Sequence, residues 1–268
     1  MKIKIPIKFI TILFSILRSF IMIKSITVIT ILHKGETTMK YDVILFDADE
    51  TLFDFKKSER EAFKNAMLEF GIDYDESYHL QIYQEINTAI WKEFEEGLIT
   101  QAKLKIERFE RLATRLGVTF DAQAFSTSYM KHLADASFLY EGALEFIDSL
   151  SKVCTLSIIT NGLTDVQTKR IGQSIIAPYF KDIVISETVK VSKPNPKIFE
   201  LALNNINHQD KTTVLMVGDS LTSDIQGGIN FGIDTCWYNS DRLANTKNIS
   251  PTYEVANFEQ LKAIIFAE

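Results

Sequence analysis

The chain of 268 residues is 46% hydrophobic and 24% charged, and its formal net charge is −6 at pH 7. This apolar fraction supports a sizeable core, which excludes an intrinsically disordered protein and predicts one large domain or a domain with an insertion. Lysine and arginine are concentrated in residues 1–38, where Glu36 is the one acidic residue, so the remaining chain is more acidic than the total suggests. That balance argues against binding to a nucleic-acid polymer.

Residues 9–32, FITILFSILRSFIMIKSITVITIL, are long and apolar enough to span a bilayer. Arg18 and Lys24 lie inside the segment, however, where each charge costs roughly 2.5–3.5 kcal/mol of insertion free energy. No small-residue cleavage pattern follows, so a signal peptide also fits poorly. Three interpretations of residues 1–38 stay open: an extension upstream of a true start at Met39, a weak membrane-associating segment, or a structured part of the fold. Met39 directly precedes the first strand pattern, which favours the first interpretation over a membrane role.

Short apolar runs recur after Met39, separated by helical patterns. They are continuous rather than alternating, which is typical of strands covered on both faces in a parallel sheet. We therefore predict a doubly wound, Rossmann-like α/β fold. The predicted strands are 43–46, 156–160, 182–186, 214–219 and 234–238.

The interval between the first two strands lacks strand signals and contains four helical patterns, at 58–70, 77–94, 100–117 and 124–134. Thr100 and Gly117 are suitable start and stop residues for the third helix. We predict a catalytic core at 39–54 and 137–268, with an all-helical cap domain inserted at 55–136. An insertion at this point would stand over the carboxyl ends of the strands, where ligands bind in this architecture.

Polar residues end or follow three of the predicted strands: Asp47, Asp49, Thr160, Asn161, Asp219 and Asp224. Lys193 comes before two prolines, and the second, Pro196, is placed to begin a helix. A single aspartate after a strand is often only a helix cap. These residues follow adjacent strands of one parallel sheet, however, so we expect them to converge on a single crevice.

Charge repulsion indicates what this crevice must hold. Carboxylates about 4 Å apart repel by roughly 4 kcal/mol at an effective dielectric constant near 20, so four of them cannot all remain ionised without cations. Lys193 and a divalent ion would supply the positive charge. Oxygen-only ligands favour Mg²⁺ over Zn²⁺. Carboxylates, a lysine, a threonine hydroxyl and backbone N–H groups together suit a phosphoryl group, with one carboxylate attacking phosphorus and another handling the proton.

Four motifs occur in a specific order: DxDxT at 47–51, Thr-Asn-Gly at 160–162, Lys-Pro-x-Pro at 193–196 and GDxxxxD at 218–224. This combination resembles the haloacid dehalogenase superfamily, in its group of phosphatases with a helical cap, over residues 39–268. The resemblance implies that Asp47 is the nucleophile that forms an aspartyl-phosphate and that Asp49 is the general acid and base. It also implies that Thr160, Asn161 and Lys193 bind phosphate. Dehalogenation is not expected, because a halide leaves without the proton that Asp49 would supply.

The resemblance also implies a Mg²⁺ site formed by Asp47, the main-chain carbonyl of Asp49, and Asp219, with Asp224 as a supporting acid near the metal or the lysine. Many relatives have glycine where this chain has Glu50. An acidic residue there resembles the pyrimidine 5′-nucleotidase-like branch, whose members act on nucleoside monophosphates.

The predicted function is a Mg²⁺-dependent 5′-nucleotidase for pyrimidine nucleoside monophosphates. A sugar-phosphate or phosphoglycolate phosphatase and a non-catalytic phosphate- or partner-binding module stay open as alternatives. Candidate contacts to a base are Phe53, Phe55, Trp91 and Phe94, and candidate contacts to an anionic substrate are Lys105, Arg108 and Arg111. Aromatic residues with the spacing of Trp91 and Phe94 more often line a helix core. The spacing of the three basic residues equally describes a solvated, ion-paired face.

Cys154 and Cys236 both lie inside apolar runs. Two buried free thiols are therefore expected rather than a disulfide. Free thiols suit a reducing compartment, and we predict a cytoplasmic location.

Overall fold

Six parallel strands form one sheet in the computed structural model, which describes residues 39–266. In chain order they are β1 (Val43–Phe46), β2 (Thr155–Thr160), β3 (Phe180–Ile185), β4 (Val214–Gly218), β5 (Asp234–Tyr238) and β6 (Tyr253–Val255). Their order across the sheet is β3-β2-β1-β4-β5-β6, and every neighbouring pair is parallel. The predicted doubly wound α/β class is confirmed. The sequence patterns missed β6, a three-residue edge strand.

Most helices in the described part of the chain lie in the connections between these strands. Five lie between β1 and β2: α1 (Phe55–Glu69), α2 (Gln81–Glu95), α3 (Gln101–Leu116), α4 (Ala122–Asp135) and α5 (Ala143–Ser151). The others are α6 (Thr164–Gly172), α7 (Ser186–Val189), α8 (Pro196–Asn205), α9 (Gln226–Phe231) and α10 (Phe258–Phe266). Single π-helical turns precede α2 and α9, at Glu76–Leu80 and Leu221–Ile225.

Helix boundaries follow from local capping. The side chain of Thr100 accepts a hydrogen bond from the backbone N–H of Lys103 at 3.3 Å, and Gly117 ends α3 in the left-handed conformation with φ 68°. Both boundaries agree with the prediction. Helix α8 begins at Pro196 as expected, and Asn195 caps it.

Strand β1 is buried on both faces, which explains its continuous apolar sequence. Val43 and Leu45 pack in a cluster with Phe199 of α8 on one face. Phe46 is turned to the other face, where its ring meets Phe146 of α5 edge to face at 6.2 Å. Helices therefore cover both faces of the sheet.

Helices α1 to α4 share an apolar cluster of their own. Phe63 of α1 stacks on Tyr83 of α2 with ring centroids 4.4 Å apart. Leu163, the N-cap residue of α6, and Val166 in its first turn belong to the same cluster, so the four-helix layer packs on the helix that follows β2. The two linkers to this layer run side by side: the N–H of Asp54 donates to the carbonyl of Phe138 at 3.0 Å.

Both cysteines are buried free thiols, as predicted. Within residues 39–266, no helix combines the length and the apolar character needed to cross a membrane. The interpretations given for residues 1–38, including the apolar segment at 9–32, lie outside the described residues.

Candidate active site

The carboxyl ends of three adjacent strands deliver most of the predicted site residues. β1 lies between β2 and β4, and Phe46 is in register with Ile158 on one side and Val217 on the other. The residues that follow these positions therefore lie at one edge of the sheet. Among them are Asp47, Thr160 and Asp219.

Lys193 lies at the centre of the site and is buried, with 4% of its surface exposed. Its Nζ donates to Oδ1 of Asp47 at 2.5 Å, to Oδ1 of Asp224 at 2.7 Å, and to the carbonyl of Ile159 at 2.7 Å. The ammonium thus compensates two buried carboxylates and fixes their orientation. Asp224 therefore contacts the lysine, and its carboxylate also lies beside those of Asp47 and Asp219.

Asp224 reaches the lysine because the chain turns tightly after β4. Its second oxygen accepts the backbone N–H of Ser220 at 3.0 Å. A Cβ atom at position 218 would overlap the carboxylate of Asp224, so the close approach requires Gly218.

Burial and mutual repulsion change the proton affinities of these groups. Burial raises the pKa of Asp47 to about 6, although the charge of Lys193 acts in the opposite direction. Burial, followed by the charges of Asp47 and Asp224, raises the pKa of Asp219 well above its usual range. Burial alone would lower the pKa of Lys193, but the charges of Asp224 and Asp47 outweigh it and leave this pKa raised.

Carboxylate oxygens of Asp47, Asp219 and Asp224 lie within 4.8 Å of one another. A cation among them would relieve the repulsion that raises the pKa of Asp219. The donors are all oxygens, which suits a hard divalent ion such as Mg²⁺. The side chain of Asp49 is not part of this acidic group.

Thr160 and Asn161 have different surroundings. The Thr160 hydroxyl oxygen accepts from Gln167 Nε2 at 3.1 Å and from the Gly162 N–H at 3.2 Å, which leaves its own proton available for a ligand oxygen. The Asn161 amide pairs with the main chain of Lys193 in both directions, each bond 2.9 Å long. Its side chain therefore holds the lysine loop in place.

Two residues of α6 that sequence reasoning missed contact Asp49. Gln167 Nε2 donates to Oδ2 of Asp49 at 2.7 Å, and the guanidinium of Arg170 forms an ion pair with the same carboxylate. Arg170 is fully buried and also donates to Oε1 of Gln167 at 3.1 and 3.2 Å. A glutamine and an arginine three residues apart, directly after the Thr-Asn-Gly motif, were the available signal.

Glu50 occupies a left-handed backbone position, φ 59°, which explains why a glycine suits this point of the motif. Its carboxylate accepts from the backbone N–H of Lys56 at 2.8 Å and from the hydroxyl of Tyr140 at 2.9 Å. Glu50 therefore ties together the two linkers that lead to and from α1–α4.

A cavity of about 520 Å³ joins the acidic site to the helical layer. Phe55 and Trp91 line it, whereas Phe53 is fully buried elsewhere in the fold. Phe94 packs edge to face against Trp91 at 5.8 Å and is not part of the lining. Two of the four aromatic candidates are thus in a position to meet a ligand.

The three basic candidates on α3 also differ. Lys105 pairs with Glu187 at 2.9 Å, and Arg111 pairs with Glu93 and Glu107, each at 2.6 Å. Both fit the ion-paired surface that their spacing also suggested. Arg108 is buried and lines the cavity.

In this structure, aspartates at the strand ends of a parallel α/β sheet surround a buried lysine, and a helical layer is inserted after the first strand. This arrangement is typical of a class of hydrolases. The chain belongs to the haloacid dehalogenase-like hydrolase family, whose sequence model matches residues 44–238. The family resemblance drawn from the four motifs is confirmed.

Two named proteins with similar sequences are both pyrimidine 5′-nucleotidases. The pyrimidine 5′-nucleotidase PynA of Streptococcus pneumoniae is 38% identical, over 83% of this chain and 94% of PynA. The pyrimidine 5′-nucleotidase YjjG of Escherichia coli is 36% identical, over 85% of this chain and 99% of YjjG. The resemblance to this branch is likewise confirmed.

A solved structure supports the fold. The magnesium-bound HAD-hydrolase YfnB of Bacillus subtilis is 34% identical and superimposes with a TM-score of 0.80, over 84% of this chain and 99% of YfnB. The similarity therefore extends across both the sheet and the inserted helices.

Proposed function

We propose that this chain is a Mg²⁺-dependent phosphomonoester hydrolase that acts through an aspartyl-phosphate on Asp47. The observation that supports it most directly is the contact between Asp47 and Lys193, 2.5 Å, beside Asp219 and Asp224. This arrangement keeps a buried carboxylate oriented and close to positive charge. A non-catalytic binding module would need neither feature.

Each residue has a defined task in the proposed reaction. The carboxylate of Asp47 attacks phosphorus while the bond to the ester oxygen breaks, and Asp49 gives that oxygen its proton. Water then attacks the aspartyl-phosphate, Asp49 takes the water's proton, and phosphate leaves with Asp47 restored. Thr160 and Lys193 donate to the phosphoryl oxygens throughout.

The proposed metal ligands are Asp47, the main-chain carbonyl of Asp49, and Asp219, with Asp224 behind the lysine. When bound, Mg²⁺ would supply positive charge that offsets the negative charge of the phosphoryl oxygens and of the acidic group. We further propose that residues 55–136 act as a cap domain on a core formed by 39–54 and 137–268. The side-by-side linkers at Asp54 and Phe138 support these boundaries.

The proposed substrates are pyrimidine nucleoside monophosphates. Support comes from the similarity to PynA and YjjG, and from a cavity that joins the acidic site to Phe55 and Trp91. Flat aromatic side chains above a phosphate site suit an ester with a planar base. The two buried free cysteines support a cytoplasmic location.

Phosphate release from UMP, dUMP and dTMP tests the proposal, with ribose 5-phosphate and phosphoglycolate compared by kcat/KM. We expect a preference for the nucleotides and loss of activity in EDTA. Asp47→Asn should lower turnover by about a thousandfold or more, because an amide cannot form the aspartyl-phosphate.

Thermal unfolding of Asp47→Asn serves as the control for its fold. A folded Asp47→Asn variant that keeps most of the wild-type rate would contradict the role of Asp47 as nucleophile. Equal kcat/KM for nucleotides and for phosphoglycolate would reject the nucleotidase proposal while leaving a phosphatase.

A further inference from the structure

Arg108 of α3 is a buried charge in the wall of the cavity. Only 2% of its surface is exposed, and its guanidinium lies over the rings of Phe109 and Tyr129 at 4.7 and 4.9 Å. Its polar contacts are neutral: Asn87 Oδ1 at 3.2 Å, the Tyr83 hydroxyl at 3.5 Å and a sulfur atom at 3.6 Å. This environment differs from that of an ordinary surface arginine.

Arg108 forms no ion pair with the described side chains, and its Nε has no hydrogen-bond partner among them. Lys105 and Arg111 on the same helix both pair with carboxylates. Glu59 lies behind Asn87 and does not contact the guanidinium directly. Burying a cation without a directly paired carboxylate is costly, and a buried donor without an acceptor adds to that cost. An acceptor on a ligand in the cavity would offset both.

Asn87 and Glu59 hold the guanidinium in place. Asn87 accepts from Arg108 through Oδ1 and donates through Nδ2 to Oε1 of Glu59 at 2.9 Å. Both ends of the amide are therefore committed, and its orientation is fixed. The remaining N–H groups of Arg108 are left for a ligand, because a guanidinium carries five donors.

We propose that Arg108 recognises the base of the substrate by donating to the ring 2-carbonyl shared by uracil, thymine and cytosine. This inference rests on the proposed nucleotidase function and assigns the residue that reads the base. The phosphate would be bound at Asp47 on the core side of the same cavity, and Phe55 and Trp91 in its lining suit a planar ring. A small carboxylic acid would make no use of these aromatic faces.

Arg108→Met tests the inference, because methionine keeps much of the side-chain length and removes the donors. The readout is the ratio of kcat/KM for UMP to kcat/KM for ribose 5-phosphate, which has the same sugar and phosphate but lacks the base. We expect this ratio to fall about 10- to 100-fold. Arg111→Met, on the partly exposed, ion-paired face of the same helix, is the matched control and should leave the ratio unchanged.

The outcomes separate the two proposals. If the wild-type enzyme does not prefer UMP, the nucleotidase function is wrong. If it prefers UMP and Arg108→Met keeps that preference, the role of Arg108 alone is overturned. An equal loss of kcat/KM for UMP and ribose 5-phosphate also overturns it, because it indicates a structural role for Arg108. A loss of kcat/KM for phosphoglycolate and not for UMP overturns it as well, because it indicates that Arg108 binds a carboxylate. Arg108→Lys, which retains the charge, should recover part of the UMP preference.

Discussion

The carboxylate of Asp49 is oriented by a glutamine whose own orientation is fixed. Arg170 donates to Oε1 of Gln167, so the opposite end of the amide, Nε2, must face Asp49 and Thr160 as a donor. Gln167→Met would remove this donor at similar side-chain volume. On the proposed mechanism, we expect kcat for UMP to fall about 10- to 100-fold, because a misplaced acid protonates the leaving oxygen poorly.

Comparing two phosphate esters distinguishes a loss of Asp49 orientation from a general loss of active-site structure. The p-nitrophenolate of p-nitrophenyl phosphate leaves without a proton, so Gln167→Met should affect that substrate less than UMP. Gln173→Met, at the exposed end of the same helix, is the control. Equal losses on both esters in a folded variant would contradict a role through Asp49.

Residue identity at the strand ends was predictable, whereas the residues that orient them were not. Asp47 and Asp219 follow apolar runs, and Lys193 precedes two prolines, at spacings that the sheet brings together. Gln167 and Arg170 lie on an ordinary helical pattern, and only packing of α6 against the motif loop shows that they face the site.

At the scale of single elements, α1 carries a buried carboxyl group that contacts no cationic side chain directly within residues 39–266. Burial raises the pKa of Glu59 to about 7, against an ordinary value of 4.5, even though Asn87 donates to it. At a pH between 4.5 and about 7, Glu59 therefore keeps its proton in the folded state and has lost it in the unfolded state. Stability should fall as pH rises through this window, by about 1–3 kcal/mol in total.

Glu59→Gln should remove this pH dependence, because an amide keeps the shape without the charge. Thermal unfolding of both proteins at about pH 5 and pH 8 measures the effect, and the variant should gain most at the higher pH. Glu61→Gln, on the same helix and partly exposed, is the control. A wild-type melting temperature that does not decrease between these pH values would contradict the prediction.

Helices with strong caps were predictable to within a few residues, and short edges were not. Thr100 and Gly117 predict the two ends of α3, and both residues cap that helix in the structure. Tyr253–Val255 escaped notice because three residues with an exposed glutamate at the centre give no apolar run. The strand exists because it pairs with β5, a contact distant in sequence.

For the whole molecule, topology explains why the position of the acidic site was predictable and the proposed base contact of Arg108 was not. Parallel strands bring their carboxyl ends together whatever the loop lengths, so aspartates after β1 and β4 had to meet. The environment of Arg108 depends on how α2 and α3 pack, which brings Asn87 and Arg108 together. Periodicity alone describes Arg108 and Arg111 in the same way.

If the acidic site binds Mg²⁺ as proposed, competition with protons should determine how strongly the ion stabilises the whole fold. The pKa of Asp47, raised by burial to about 6, means that this carboxyl binds a proton in acid solution, and Mg²⁺ must displace it. Affinity should fall about tenfold per pH unit for each proton displaced once the pH is below this pKa. Because a ligand that binds only the folded state raises the melting temperature, added Mg²⁺ should raise it more at about pH 7.5 than at about pH 5.5. Asp219→Asn, which removes one carboxylate of the group, should lose most of this response at either pH. A Mg²⁺ effect of equal size at both pH values would show that no protonated carboxyl competes for the ion.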